Sequence, residues 1–396
     1  MKNKKLLLAA GALVLGAGTL ASCGGSKADL KVWCSTEDVP YVEQVVKNFK
    51  ADHAEYKDKN IKVIVTNEPD AAPALKTDPN ASADVFHFTG DSMGELVRQE
   101  LLYEIDSSYL VNNGIDKDVL ASGQKDGKQY GIPFTPNTFF MFYDASVYTA
   151  EDVKSFEKML AVDVSSKGYE YNFALDLANG WYLQSYFLSN GCTMYEKDKE
   201  AIAPRDKALH TSKWIWDYYK NEKLYPADGS AECGIKNAAC VTGTWNAATI
   251  KANIEANGGT YAAAPLPACD FGDGEVTWRS VGDFKHVGVN SVTKEPEMAC
   301  ELAAYITNAE SQKLRYEMRQ TAPTNKAATD SIEDIDLAIV AQTEQLKSTF
   351  NQPLGHSDHN FWDSATAFGS DLQGAKEYEI EDWFDKFVAG ITLQAE

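Results

Sequence analysis

Apolar and polar residues alternate over Leu30–Cys34 (LKVWC) and again over Ile61–Val65 (IKVIV), the period of a strand with one covered face. Between them Val42, Val45, Val46 and Phe49 fall at i, i+3, i+4 and i+7, one buried stripe on a helix. Asp38 stands where it would cap that helix, with Pro40 in the first turn. Residues 69–82, rich in Pro and Ala, predict a loop, and "ADVFHFTGD" predicts a strand followed by a helix through Leu102. Strand, helix, strand, loop, strand, helix is the rhythm of a parallel sheet covered by helices, so an α/β fold is expected.

Residues 131–134 and 139–143 form two extended apolar runs flanking "TPNT". From residue 153 to 257 the pattern is mostly helical and rich in aromatics, with Trp181, Trp214, Trp216 and Trp245 among them. Residues 263–267 and 286–290 read as strands. Two helices follow from residue 295, then three more acidic amphipathic ones. No internal repeat interrupts this order, and 396 residues suit two domains rather than one core.

The amino terminus changes the picture. Lys2, Lys4 and Lys5 precede an apolar stretch from Leu6 to Leu20, the layout of an export leader. Leu20-Ala21-Ser22-Cys23 resembles the bacterial lipoprotein signal, in which cleavage leaves the cysteine first and its sulfur is lipidated. Residues 1–22 are therefore expected to be removed, Cys23 lipidated, and residues 23–28 to act as a tether. No later run reaches the length of a membrane span. Lys and Arg number 37 against 58 Asp and Glu, a net charge of −21 that becomes −24 without the leader's three lysines. That balance argues against nucleic acid and anionic lipid heads, and favours a neutral ligand.

Six further cysteines carry no C-x-x-C spacing for zinc or redox work; buried thiols are expected, with Cys233 and Cys240 the pair to form if any does. His356-Ser357-Asp358-His359 follows Pro353 and Gly355 and reads as a solvated loop rather than a metal site. No phosphate-binding G-x-x-x-x-G-K-[ST] is present, so any nucleotide energy must come from a partner. Gly90-Asp91-Ser92-Met93-Gly94 fits the G-x-S-x-G nucleophile elbow, but only two strands and no oxyanion-hole glycine run precede it. Its glycines are expected instead to let backbone approach a ligand.

The order of segments resembles the extracellular solute-binding proteins of ABC importers, in the sugar-binding branch typified by maltose- and maltodextrin-binding proteins. "LKVWCSTEDVPYVEQVVKNFKA", "ADVFHFTGD", "YGIPFTPNTFFMFYD", "CVTGTWNAATIKANI", "FKHVGVNSVTKEPEMACELAAYIT" and "DHNFWDSATAF" each resemble a family segment, and they occur in the family's order. The resemblance implies two α/β lobes joined by crossing strands, here residues 29–136 with 286–322 and 137–285 with 323–396, and a cleft between them. Hinges are then expected near residues 134–139, 282–288 and 320–325. It implies a monomer without enzyme activity, metal or cofactor, which hands an oligosaccharide to permease subunits served by a separate ATPase.

A sugar offers hydroxyls at its rim and C–H groups on its faces, so its site needs carboxylates or amides and flat rings. By the resemblance, Glu37 and Asp38 match an acidic loop, Phe88 an aromatic that is Trp in the best-known member, and Asp91 a hydroxyl-binding carboxylate. Trp181, Trp245 and Trp362 match a ring platform on the second lobe. Ser92 and Asn137 depart from the family's Arg and Glu, which leaves the particular sugar open. Trp33, Trp214 and Trp216 are read as core. Two alternatives stay open: a secreted hydrolase, using Ser92 or paired acids, and the same fold holding a non-sugar solute.

Overall fold

The computed structural model describes residues 28–111, 113–195, 201–353, 356 and 360–393. The leader, Cys23, the tether up to residue 27 and His359 lie outside them. Leu30–Cys34 pairs in parallel with Ile61–Val65 on one side and Val85–Thr89 on the other. The long strand Val281–Val289 joins this sheet antiparallel, between Val85–Thr89 and Gly131–Thr138. Val32, Val45, Phe49, Val85, Ile132 and Leu302 meet in its core with little or no exposure. Each such side chain, fully buried, contributes roughly 1.5–3 kcal/mol.

A second, five-stranded sheet runs Leu224–Tyr225, Phe173–Ala174, Ala239–Thr242, Phe140–Asp144, Tyr261–Ala264, with the last three antiparallel. Helices Gly180–Ser189, Arg205–Lys220, Phe361–Gly374 and Ile380–Ile391 pack with it around an aromatic-rich core. Short strands therefore thread the stretch that the sequence predicts as mostly helical. "TPNT" does not separate two strands; Gly131–Thr138 is continuous through it, and a register shift falls opposite, between Lys285 and His286.

Other expectations fail locally. Residues 69–82 hold the helix Glu68–Thr77, with Pro69 in its first turn and Pro73 inside it. Pro73 removes one helical hydrogen bond, but Ala71, Ala72 and Leu75 pack against Trp33, Phe86 and Phe88, and that burial outweighs propensity. The helix after Ser92 stops at Arg98, because Glu100 turns left-handed (φ 55°) and Leu101 bonds back to the Leu96 carbonyl. Among the described residues four α-helices, not three, follow Arg319. Among the described residues all six cysteines are buried free thiols, Cys233 and Cys240 included, and no helix is long and apolar enough to cross a membrane.

Trp33 and Trp214 lie in hydrophobic clusters. Trp216 packs against the same core as Trp214 and donates its indole N–H to the Ala375 carbonyl at 2.9 Å.

Candidate ligand-binding site

A cleft of about 710 Å³ opens between the two sheets' ends. Volume and mixed lining suit a small-molecule site. One wall is aromatic. Trp181 starts the helix Gly180–Ser189, whose first turn is fixed by Asn179 accepting from the Trp181 N–H at 2.9 Å. Trp245 sits in the turn leaving Ala239–Thr242, its ring centroid 5.8 Å from that of Trp181. Phe139 meets Trp181 edge-on at 5.0 Å and holds it from behind. Trp362 enters from the helix Phe361–Gly374.

Two glycines make room for these rings. A Cβ at Gly243 would overlap the Trp245 indole, and one at Gly180 would come 3.1 Å from Trp362 Cε3. His356, expected in a solvated loop, is buried: it stacks on Phe361 at 3.4 Å, meets Trp362 edge-on and pairs with Gln184 at 3.0 Å. It packs behind the platform.

The opposite wall is polar. Glu37, Asp91, Ser92 and Glu95 face the cleft, with Lys76 paired to Glu95 at 2.8 Å. The floor comes from the paired strands Gly131–Thr138 and Val281–Val289, which present Asn137, Asp283 and Lys285. Asp283 accepts from Asn137 Nδ2 at 2.8 Å and from the Asp91 backbone N–H at 3.2 Å. Burial, then the nearby Asp91 carboxylate, pushes Asp283 up to about 7. Burial likewise raises Asp91, against the hydrogen bond from Thr89.

Six of the eight residues singled out in the sequence line this one cleft: Glu37, Asp91, Asn137, Trp181, Trp245 and Trp362. Two lie elsewhere. Phe88 is fully buried between Phe86 and His286, on the side of its strand turned to the core. Asp38 is also fully buried; its carboxylate receives Arg315 at 3.0 Å and Arg319 at 3.1 Å and makes no helix cap. Burial alone would raise Asp38, but Arg315 first, then His87 and Arg319, hold it at about 2. It supports the wall without facing a ligand.

Asp38, Glu68 and His87 bring ligand atoms within 4.8 Å of one another. The positive charge there is supplied by Arg315 and Arg319 on Asp38 and by Lys285, 3.5 Å from Glu68. Burial pushes the sealed His87 imidazole down to about 4, so it is neutral at pH 7 and charged only in the acid range where Asp38 titrates. The residues that sequence reasoning missed, Asp283, Lys285, Arg315 and Arg319, had faint signals. The first two are charged positions two apart in a strand that is mostly Val, Gly and Phe, and the arginines fall at i, i+4 on one helix.

Comparison with known proteins agrees with this geometry. The family described as "Bacterial extracellular solute-binding protein" matches residues 44–343. The chain is similar to the galactooligosaccharide-binding protein of Bacillus subtilis (strain 168), 27% identical over 371 residues, 85% of this chain and 84% of that one. It is also similar to the maltodextrin-binding protein MdxE of the same organism, 26% identical over 386 residues and 89% of each chain. A solved structure with acarbose superposes at a TM-score of 0.82 with 25% identity, over 93% of this chain and 99% of the other. The fold is thus the two-lobed α/β architecture of periplasmic binding proteins.

Proposed function

The chain belongs to the bacterial extracellular solute-binding proteins, and from that premise we propose that it captures a neutral oligosaccharide, maltose or maltodextrin in the first place, for an ABC importer. The observation that carries the reading is the convergence of Trp181, Trp245 and Trp362 on a cleft whose other wall is acidic and amide-bearing. Indole faces match the C–H faces of a pyranose, while Glu37, Asp91 and Asn137 offer acceptors and donors to its hydroxyls. Curated relatives named for galactooligosaccharide and maltodextrin binding, and the neighbouring structure with acarbose, support the same ligand class.

The lobes, residues 29–136 with 286–322 and 137–285 with 323–396, close over the sugar and present the surface a permease reads. Hinge motion in the crossing segments absorbs the change. Lipidation at Cys23 keeps the receptor at the membrane. The protein binds rather than cleaves. The hydrogen bond of Ser92 Oγ among the described residues runs to Thr89 at 3.4 Å, while His286 is engaged by Ser122 at 3.1 Å.

Titration calorimetry with the mature chain tests this against maltose, maltotriose, galactobiose, putrescine and a tripeptide. Micromolar binding of a saccharide, about −8 kcal/mol, is expected. No heat and no thermal shift with any saccharide would remove the proposal, and binding of the amine or peptide instead would assign the fold another solute.

A further inference from the structure

The floor of the cleft carries polar chemistry that the aromatic wall does not account for. Asp283 and Lys285 are two apart on Val281–Val289 and so share the face turned to the cleft. Each Asp283 oxygen takes one donor, Asn137 on Oδ1 and the Asp91 N–H on Oδ2, which leaves acceptor capacity on both. Gly90 makes the second contact possible, since a Cβ there would come 2.8 Å from the Phe284 carbonyl and 3.1 Å from Asp283 Oδ2. Lys285 reaches Glu68 at 3.5 Å with one side of its ammonium and lies 5.5 Å from the centroid of the Trp245 ring. A donor therefore sits over an indole, with an acceptor two residues away on the same face of the strand.

A pyranose lying on Trp245 turns a rim of hydroxyls toward its surroundings. Each hydroxyl both donates and accepts, so two neighbouring ones are satisfied together by a carboxyl beside an ammonium. We infer that Asp283 and Lys285 are specificity-determining residues of the cleft, binding a pair of adjacent hydroxyls on the sugar ring that stacks against Trp245. The inference rests on the oligosaccharide reading above. Burial, then the Asp91 carboxylate, pushes Asp283 up, which favours the protonated form that can also donate to a hydroxyl. A site that only holds the strands together would not need a donor aimed at the indole.

The test measures maltotriose and its monodeoxy derivatives by calorimetry on the mature chain. Where wild type binds only a galacto-oligosaccharide, that sugar's monodeoxy series takes their place. Two variants are compared with wild type: Asp283→Asn, which keeps the shape, and Lys285→Met combined with Glu68→Gln, which keeps the buried charge balanced. Wild type should lose about tenfold on removal of each of two adjacent hydroxyls. Each variant should bind the parent sugar about tenfold more weakly yet show no further loss with the matching deoxy sugar. Thermal unfolding midpoints near wild type establish that the variants are folded; should one fail to fold, the other decides. Equal losses across the whole deoxy series, or wild-type ranking in both variants, overturn the inference. Failure of wild type to bind any saccharide overturns the oligosaccharide reading itself, and Trp245→Ala losing every sugar while Asp283→Asn re-ranks them separates the two.

Discussion

Replacing Asp38 with Asn should cost stability rather than sugar contact. The carboxylate is fully buried, with both oxygens on guanidinium groups: Arg315 at 3.0 and 3.1 Å on one, Arg319 at 3.1 Å on the other. Asp38→Asn leaves the 6%-exposed Arg315 side chain without its counter-charge, a loss of about 3–5 kcal/mol for a broken buried pair. An independent figure comes from protonation. Asp38 moves from 3.8 to about 2 on folding, which corresponds to roughly 2–3 kcal/mol. The folded pKa is depressed, so this contribution is complete above the unfolded value and fades as pH falls through about 2. By pH 3 about 1 kcal/mol of it is gone.

Urea unfolding followed by circular dichroism at pH 7, 5, 4 and 3, on wild type and variant, reads both effects. A gap of about 3–5 kcal/mol at pH 7 that narrows below pH 4 is expected, since Asp38 of the unfolded wild-type chain takes up its proton near 3.8 while the folded carboxylate is still ionised. A gap below 1 kcal/mol, or one independent of pH, would refute the ion-pair account. Lost sugar binding at unchanged stability would return Asp38 to the ligand.

Gly243→Ala should act on binding through its neighbour. The added methyl displaces the Trp245 indole, so saccharide affinity in calorimetry should fall about 30-fold or more, close to that of Trp245→Ala, as for a central aromatic anchor. The six thiols are at most 4% exposed, and burial pushes Cys34 and Cys192 up to about 12 and Cys300 to about 11. A chain beginning at residue 24 should show no reaction with a disulfide reagent over minutes and six thiols in denaturant, so a titre of four would reveal a disulfide.

Local periodicity made the first lobe legible: the alternation of Leu30–Cys34 and the i, i+3, i+4, i+7 stripe of the next helix dictate one buried face each. The helix Glu68–Thr77 was not legible, because two prolines argue against it and only Trp33, Phe86 and Phe88, contributed from other segments, argue for it. The same asymmetry holds at the site. Trp245 follows Gly243, and that pair announces a ring laid over bare backbone. Asp38 gives no such sign, since the arginines that claim it arrive some 280 residues later in the chain, at Arg315 and Arg319. A carboxylate next in sequence to a cleft residue can serve ligand or fold, and its partners decide.

Those partners also explain how the two walls divide their labour. The indoles of one wall rest on neutral packing: Phe139 behind Trp181, His356 and Phe361 beside Trp362, glycine beneath Trp245. Such contacts tolerate small sliding, which suits a surface that must grip and release a ring. The other wall is braced by ionic contacts, with Asp38 on its arginines and Glu68 on Lys285, where directionality fixes positions more tightly. Lys285 reaches toward both, 3.5 Å from Glu68 and 5.5 Å from the Trp245 ring centroid. On the proposed reading, a sugar that settles on the Trp245 indole meets this ammonium, and the crossing strand is then the place where ligand chemistry and lobe closure meet.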